Sequence, residues 1–177
     1  EAAELAEWIV LENGLRCNTE EITQYFTPAI KWLDTFQPNF QLQEVVVCNP
    51  TLGYAGRTDA RVVSIDGKDY IADIKSSDKM KRSWLMQLAA YRACPIGYTI
   101  EPQEDGTHKA SSQHDLSGMV GMDGLMIMCT PEKCGHRVVP SACLSRYQLA
   151  FEHALALHAF NTEPMPDTRA KWCHYQG

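Results

Sequence analysis

Asp73 and Lys75 stand two residues apart in the segment Tyr70-Ile71-Ala72-Asp73-Ile74-Lys75. The apolar and β-branched residues of this segment predict a strand over residues 70–75. Side chains two apart in a strand project from the same face, so the carboxylate and the ammonium are expected side by side. Burying such charges is costly unless they are paired or bind a metal. The segment therefore indicates either a site of chemistry or a structural ion pair.

Asp59 is a second carboxylate that could join this site from the preceding part of the chain. Asp66-Gly67 predicts a hairpin turn between the two segments. A two-residue turn would pair Ala60 with Asp73 and turn Asp59 to the opposite face. A three-residue loop or a bulge would place Asp59 opposite Lys75 and diagonal to Asp73. A shared site thus requires an odd-length loop or a bulge.

Two carboxylates on neighbouring strands form an oxygen-rich site for a hard cation such as Mg²⁺ or Mn²⁺. Such a cation binds substrate phosphate and activates water for hydrolysis. The predicted metal ligands are Asp59, Asp73 and the backbone carbonyl of Ile74. Lys75 could stabilise the developing charge or help to deprotonate the nucleophile.

Three short motifs occur in order around these residues. Gly56-Arg57-Thr58-Asp59 is similar to a G-x-x-D element, Asp73-Ile74-Lys75 to a (D/E)-x-K element, and Gln87-Leu88-Ala89-Ala90-Tyr91 to a Q-x-x-x-Y motif. Together they resemble the RecB-like exonuclease branch of the PD-(D/E)XK nuclease superfamily, over about residues 30–95. A lone D-x-K is a weak signal, whereas the ordered set in strand and helix contexts is more specific.

The resemblance implies roles for the motif residues. Asp59 and Asp73 would bind metal and Lys75 would be catalytic, as in the family. Gln87 and Tyr91 would complete the catalytic set by holding the substrate or shaping the site. They lie one helical turn apart and so share a face, but a solvent-facing Gln above a core Tyr would give the same spacing.

Two further features are compared with the same branch. Glu44 matches a recurring acid and is therefore a candidate further metal ligand. Members often carry a His or Glu on the first helix, but the first His here is His108, so an upstream segment or one of three acids would have to serve: Glu4, Glu7 or Glu12. Iron–sulfur relatives carry clustered cysteines near the C-terminus. Cys173 stands alone there, so no iron–sulfur cluster is expected.

The function implied by the resemblance is a metal-dependent DNA nuclease that hydrolyses phosphodiester bonds. An exonuclease acting on single strands or DNA ends and leaving 5′-phosphates is expected, with Mg²⁺ or Mn²⁺ as cofactor. A role in bacterial or phage recombination or repair follows by analogy, with a helicase or recombination protein as a further candidate partner. The alternatives are a non-catalytic nucleic-acid-binding or scaffolding module on the same fold, and a domain that works only within a helicase–nuclease complex.

A basic segment follows the predicted active strand. Residues 75–82 carry a local net charge of +3, from Lys75, Lys79, Lys81 and Arg82 against Asp78. Cations here could contact phosphates, and Lys79, Lys81 and Arg82 are therefore predicted to bind nucleic acid together with Gln87 and Tyr91. A solvated loop is the equally simple alternative.

Length and composition predict one domain over residues 1–177, and the alternative that this domain lacks an upstream segment stays open. The net charge of −6 argues against a nucleic-acid coat protein, but not against an enzyme with a local basic patch. No apolar run approaches the roughly 20 residues of a membrane span, and no signal peptide is evident, so a cytoplasmic protein without membrane contact is expected.

The seven cysteines are predicted to be reduced thiols, because an odd, scattered set does not suggest a disulfide framework. Cys129, Cys134 and His136 lack a fourth ligand at zinc spacing and are interpreted as core thiols and a surface histidine. Trp32 and Trp84 stand at helical spacing and are predicted to lie in the core.

The pattern along the chain predicts alternating helices and strands. Helices are expected at 2–12, from Asn18 to about Phe36, at 83–93 and at 141–159; strands at 44–48, 61–65, 70–75, 125–129 and 137–139; a turn at 53–56; a mobile loop or insertion at 101–118; and a tail at 161–177. This order predicts an α/β (α+β) fold, with a central mixed sheet that includes an antiparallel meander, flanked by helices in a restriction-endonuclease-like core.

Overall fold

The computed structural model describes residues 19–60, 63–103 and 105–162. Three helices lie in these ranges: α1 (Thr19–Phe36), α2 (Arg82–Arg92) and α3 (Ser141–Thr162). The strands there are β1 (Asn39–Phe40), β2 (Gln43–Asn49), β3 (Tyr54–Ala60), β4 (Val63–Ser64), β5 (Tyr70–Lys75), β6 (Ile96–Pro102), β7 (His108–Asp115), β8 (Asp123–Cys129) and β9 (Cys134–Val139).

Seven of these strands form one mixed sheet in the order β7-β6-β2-β3-β5-β8-β9. Neighbours pair antiparallel except β5 and β8, which are parallel. The chain passes between β5 and β8 through α2 and the β6–β7 hairpin, and β1 pairs with β4 in a separate two-stranded sheet. The predicted mixed α/β architecture is confirmed.

The sheet is covered on both faces because its central strands alternate between two apolar clusters. Ile71 and Met126 belong to the cluster that contains residues of α2 and α3, including Leu88. Ala72 and Ile127, one position further along each strand, belong to the cluster around Trp32 of α1. β5 is therefore buried on both faces for most of its length, which fixes the strand that carries Asp73.

The predicted helices at Asn18–Phe36, 83–93 and 141–159 are confirmed with small shifts of their ends. Trp32 is 4 % exposed, as expected for a core residue. The predicted helix at 2–12 and most of the predicted tail lie outside the described residues, as do Glu4, Glu7 and Glu12. Within the described part of the chain, no helix is both long and apolar enough to cross a membrane.

The prediction for the β2–β3 connection was wrong by several residues. The turn occupies residues 50–53, and β3 begins at Tyr54, where a turn was expected; of the predicted strand at 61–65, residues 63–64 form β4 and residues 61–62 are not described. The turn forms early because the Asn49 side chain accepts a hydrogen bond from the Leu52 amide at 3.1 Å, and Gly53 adopts a φ of +70°. These contacts close the chain before Tyr54.

The polar segment predicted as a mobile loop at 101–118 contains most of a β-hairpin instead. β6 and β7 pair along their length, and the turn between them contains Gly106 at φ +79° and an Asp105 carboxylate that accepts from the Thr107 amide at 2.9 Å. β7 is exposed on both faces over most of its length. Without a buried face it carries no apolar alternation, so its sequence did not predict a strand.

The β8–β9 hairpin confirms the two strands predicted at 125–129 and 137–139. Its last register pair is Cys129 with Cys134, and the structure joins them in a disulfide. The prediction of reduced thiols was therefore wrong for this pair, because the hairpin register opposes two cysteines that are separated in sequence. His136 is half-buried rather than a surface residue, since it accepts a hydrogen bond from Trp32 Nε1 at 3.0 Å.

Candidate active site

Asp73 is a buried carboxylate whose one cationic neighbour, within the part of the chain that the structure describes, is Lys75. Asp73 is 2 % exposed. Asp73 Oδ1 accepts a hydrogen bond from Lys75 Nζ at 3.0 Å. Oδ2 lies 2.9 Å from the same nitrogen, but without hydrogen-bond geometry, and it has no hydrogen-bond partner among the described residues. One oxygen of a fully buried acid is thus left to a salt-bridge contact alone.

The electrostatic balance at Asp73 disfavours its ionised form. Burial raises the pKa of Asp73 above its usual range, the hydrogen bond and charge of Lys75 partly lower it, and the negative charge of Asp59 raises it further. The two acids are therefore close enough to interact. An additional cation between them would favour both ionised carboxylates.

Asp59 reaches this region because the hairpin contains a register shift. Ile65 bridges Lys68 around a two-residue Asp66-Gly67 turn, but Ala60 pairs with Ala72. Ala60 and Ile65 are five positions apart, whereas their partners Ala72 and Lys68 are four positions apart. The segment before the turn therefore contains one residue more than the segment after it. A register shift of this kind is present, but the expectation that it would place Asp59 opposite Lys75 was wrong, because continuing the Ala60–Ala72 register by one position brings Asp59 towards Asp73.

The Asp59 carboxylate lies at an opening between β3 and β5. Its Oδ2 accepts a hydrogen bond from the Ile74 amide at 2.7 Å, in place of a strand partner. The N–H and C=O of one residue in an extended strand point to the same side. The Ile74 carbonyl is therefore directed towards the same opening as Asp59, which is the position required of the predicted backbone ligand.

Glu44 lines the same opening, but its carboxylate is paired with an arginine. A cavity of about 360 Å³ is lined by Glu44, Asp59 and Ile74, with Phe40 and Gln43. The Glu44 carboxylate, however, pairs with Arg57 Nε at 2.7 Å. Among the described residues, no group of three His, Cys, Asp or Glu side chains converges to hold a metal ion. Of the predicted oxygen donors, Asp59 and Ile74 line this opening, whereas Asp73 does not line it but is near enough for the charge of Asp59 to raise its pKa.

α2 brings the third motif to the opposite side of Lys75. Lys75 Nζ donates to Gln87 Oε1 at 3.2 Å, and Gln87 Nε2 donates to Tyr91 Oη at 2.9 Å. Gly56 permits this approach, since a Cβ at that position would lie 3.0 Å from Tyr91 Cζ and closer still to its ring edge. The prediction that Gln87 and Tyr91 lie together at this site is confirmed as a placement, and their catalytic role stays a prediction.

Trp84 is a residue of this site that the sequence reasoning placed only in the core. It is half-buried, and the ammonium groups of Lys75 and Lys81 lie 5.9 Å and 5.1 Å from its ring centroid. A signal was available, because Trp84 precedes Gln87 by three residues and so shares its helix face. The exposed ring area beside two cations suits contact with a polyanion.

The predicted basic residues surround the N-terminal end of α2. Lys79, Lys81 and Arg82 are exposed. Asp78 is also exposed, and its charge would offset theirs. However, its Oδ2 lies 3.7 Å from Lys133 Nζ and so pairs with a different cation. The placement is compatible with phosphate contacts, and nucleic-acid binding by these residues stays a prediction.

Comparison with known proteins adds little to this geometry. No protein-family model matches the sequence, and no curated protein matches it. The chain is similar to the solved structure described as "Crystal structure of SSO0001", with 15 % sequence identity and a TM-score of 0.35, over 93 % of this chain and 70 % of that chain. A likeness at this level carries no argument about function, so the functional assignment depends on the site itself.

Proposed function

We propose that this chain is a metal-dependent nuclease of the PD-(D/E)XK type, with a restriction-endonuclease-like core, that hydrolyses phosphodiester bonds in DNA. The observation that carries the proposal is the state of Asp73: it is buried, and among the described residues one of its oxygens has only a salt-bridge contact with Lys75. Asp59, which lines an opening in the sheet, is near enough to raise the pKa of Asp73 further. Such an arrangement is expensive for folding alone and suits a cation-binding site.

The residues present fit a hard divalent cation. Asp59, Asp73 and the Ile74 carbonyl would hold Mg²⁺ or Mn²⁺, because these ions take oxygen ligands and keep several waters, so three protein donors are sufficient. When bound, the ion supplies Lewis acidity at the phosphate and makes water a better nucleophile at neutral pH. Glu44 would contribute only if its pair with Arg57 were broken.

The remaining site residues act on charge and orientation. Lys75 lies between Asp73 and Gln87, so its ammonium is held where it can stabilise negative charge on a phosphate oxygen or assist in proton transfer. Gln87 is itself held by Tyr91, which restricts the direction of the Gln87 amide. Asp73, Lys75, Gln87 and Tyr91, from two of the three motifs, thus form one hydrogen-bonded chain from β5 to the last turn of α2.

The substrate class follows from the resemblance and from local charge. Exposed Lys79, Lys81 and Arg82 would contact phosphates of a strand that crosses the start of α2. Exonuclease action on single strands or DNA ends, in recombination or repair, is the form of activity that the RecB-like motifs favour, with a helicase or recombination protein as partner.

The test is cleavage of end-labelled single- and double-stranded DNA with Mg²⁺ or Mn²⁺. Asp73→Ala and Lys75→Ala should each lower the rate by about a thousandfold, equivalent to about 4 kcal/mol of transition-state stabilisation. Asp78→Ala and Lys109→Ala are matched controls, since both residues are exposed and lie outside the site, and they should retain activity. The labelled end reports the polarity of degradation.

A non-catalytic nucleic-acid-binding module is the second candidate. It is favoured by the contacts of Lys75 Nζ with both Asp73 oxygens, and by the lack of a third converging acid among the described residues. It predicts that the wild-type protein binds DNA equally with and without metal and leaves every labelled substrate intact. That result would overturn the nuclease proposal.

A further inference from the structure

We propose that a cavity beside the candidate active site binds a nucleobase, so that the preferred substrate is a strand with an unpaired base next to the scissile phosphate. This inference rests on the proposed function and adds a base-binding site to it. The cavity has a volume of about 510 Å³ and lies between α2, α3 and the start of β3. Its main lining residues are Tyr54, Ser83, Trp84, Gln87, Tyr91 and Phe151.

The cavity is continuous with the catalytic residues. Gln87 and Tyr91 belong to its wall, and Gln87 accepts the hydrogen bond from Lys75. If Lys75 holds the phosphate of a nucleotide, the Gln87 side chain alone separates that phosphate from the cavity. This continuity assigns the space to a part of the substrate.

Aromatic side chains from different elements form much of the wall. Trp84 comes from α2 and Phe151 from α3, and Tyr54 packs edge-on against Phe151 with ring centroids 4.9 Å apart. Flat aromatic surfaces stack with any base, because every base has a π-face. Ser83, Gln87 and Tyr91 add polar groups that can bond the edge of a base.

Tyr54 serves this cavity as a wall and not as an acid or base. Its hydroxyl donates to the Ala90 carbonyl at 2.8 Å, and burial raises the pKa of Tyr54 well above its usual range. The Tyr54 ring is therefore fixed in position, and the wall that it forms keeps a constant shape. A fixed aromatic wall offers a planar ligand a constant surface to pack against.

Cations flank the cavity on two sides. Lys75 and Lys81 lie over Trp84, and a neighbouring cavity of about 520 Å³, which shares Met86, is lined by Arg82 and Arg146. An open aromatic cavity between two cationic regions is complementary to a base with a phosphate on each side. A base in a duplex would have to unpair and leave its stack to enter, which costs a few kcal/mol. Single strands and frayed ends are therefore favoured.

The test compares binding of two short single-stranded oligonucleotides by fluorescence anisotropy in EDTA, so that no cleavage occurs. One carries normal bases, and the other keeps the same sugar–phosphate backbone with abasic sites throughout. Wild-type protein should bind the normal strand about tenfold more tightly, because each stacked base contributes on this order. Trp84→Ala and Phe151→Ala should bring the ratio close to one.

Phe160→Ala is the matched control, since Phe160 lies on the same helix as Phe151, is 74 % exposed and does not line the cavity. It should retain the wild-type ratio. Equal binding of both strands by wild type would overturn the inference, and so would a wild-type ratio of the two affinities in Phe151→Ala. In either case, metal-dependent cleavage by wild type would leave the nuclease proposal standing. Base-dependent binding without cleavage in Mg²⁺ or Mn²⁺ would support the cavity and overturn the nuclease proposal.

Discussion

Arg92 and Asp73 are both buried charged residues, but they are satisfied very differently. Arg92 is 0 % exposed, and its two terminal nitrogens donate four hydrogen bonds, to the Met122 carbonyl, to the carbonyl and hydroxyl of Ser141, and to the Ser145 hydroxyl. Its Nε has no hydrogen-bond partner among the described residues. Asp73 is 2 % exposed and accepts one hydrogen bond, from Lys75. At equal burial, one charge is bound by several fixed partners and the other by a single flexible lysine.

The difference separates a structural charge from a reactive one. Arg92 joins the end of α2 to the start of α3 and to the segment before β8, so its bonds hold three elements in place. Asp73 holds no second element, and the Oδ2 atom has no hydrogen-bond partner among the described residues. The contrast therefore lies in what each charge binds: Arg92 bonds fixed groups of two other segments, whereas Asp73 faces one lysine and a second acid, an arrangement typical of a ligand-binding site.

The largest expected effect on stability comes from removing Arg92, the buried charge with more hydrogen bonds. Arg92→Leu leaves the partners on Met122, Ser141 and Ser145 without their donor, so the free energy of unfolding should fall by about 3 kcal/mol. Urea denaturation measures it, with the exposed Arg137→Leu as control. A loss as small as in the control would contradict the structural role of Arg92.

Asp73→Asn should have the opposite effect. The substitution removes a buried negative charge whose pKa is raised in the folded protein, so metal-free protein should become more stable by about 1 kcal/mol at neutral pH. The same urea titrations measure it, with exposed Asp78→Asn as the matched control. If Asp73→Asn were destabilising instead, Asp73 and Lys75 would form a structural ion pair, and the contrast with Arg92 would disappear.

The pH dependence sharpens the same comparison. Because the folded-state pKa of Asp73 is raised, the folded protein binds this proton more tightly than the unfolded chain does. The wild type therefore gains stability relative to Asp73→Asn as the pH falls through the raised pKa towards the ordinary aspartate value of about 4. Urea midpoints of both proteins over this range should converge. Midpoints that diverge on acidification would indicate a depressed pKa.

The effect expected at Gln87 is on the cleavage rate, and it is smaller than the effect expected for Lys75→Ala. Gln87→Ala removes one hydrogen bond that orients Lys75, so the cleavage rate should fall by about tenfold, which corresponds to about 1.4 kcal/mol, with little change in stability. Gln148→Ala is the matched control, because the Gln148 side chain bonds Glu152 on the same helix and lies outside the site. Equal rates in the two variants would remove Gln87 from the catalytic set.

The sequence predicted the parts of this site that depend on local spacing. Asp73 and Lys75 share a strand face by period two, and Gln87 and Tyr91 share a helix face by a spacing of four. Arg92 was missed, although it continues the buried stripe of Leu85, Leu88 and Ala89 on α2. An arginine on an apolar helix face is a usable signal of a satisfied structural charge.

The parts that sequence did not predict depend on pairing between distant segments. The register shift before Asp66-Gly67 could be stated as a requirement, but only the packed sheet selects it over a regular hairpin. The β6–β7 hairpin has no buried face on β7 and therefore no apolar alternation. The Cys129–Cys134 disulfide follows from the hairpin register and not from cysteine spacing.

The most direct test of the central claim is binding of Mn²⁺ to the metal-free protein, measured by titration calorimetry and by the shift in melting temperature. Wild type should bind Mn²⁺ saturably and gain about 2.7 kcal/mol at a hundredfold excess over the dissociation constant. Asp73→Asn and Asp59→Asn should each lose this binding, while Asp78→Asn should keep it. Equal binding by wild type and Asp73→Asn, or none by wild type, would contradict the assignment of this opening as a metal site.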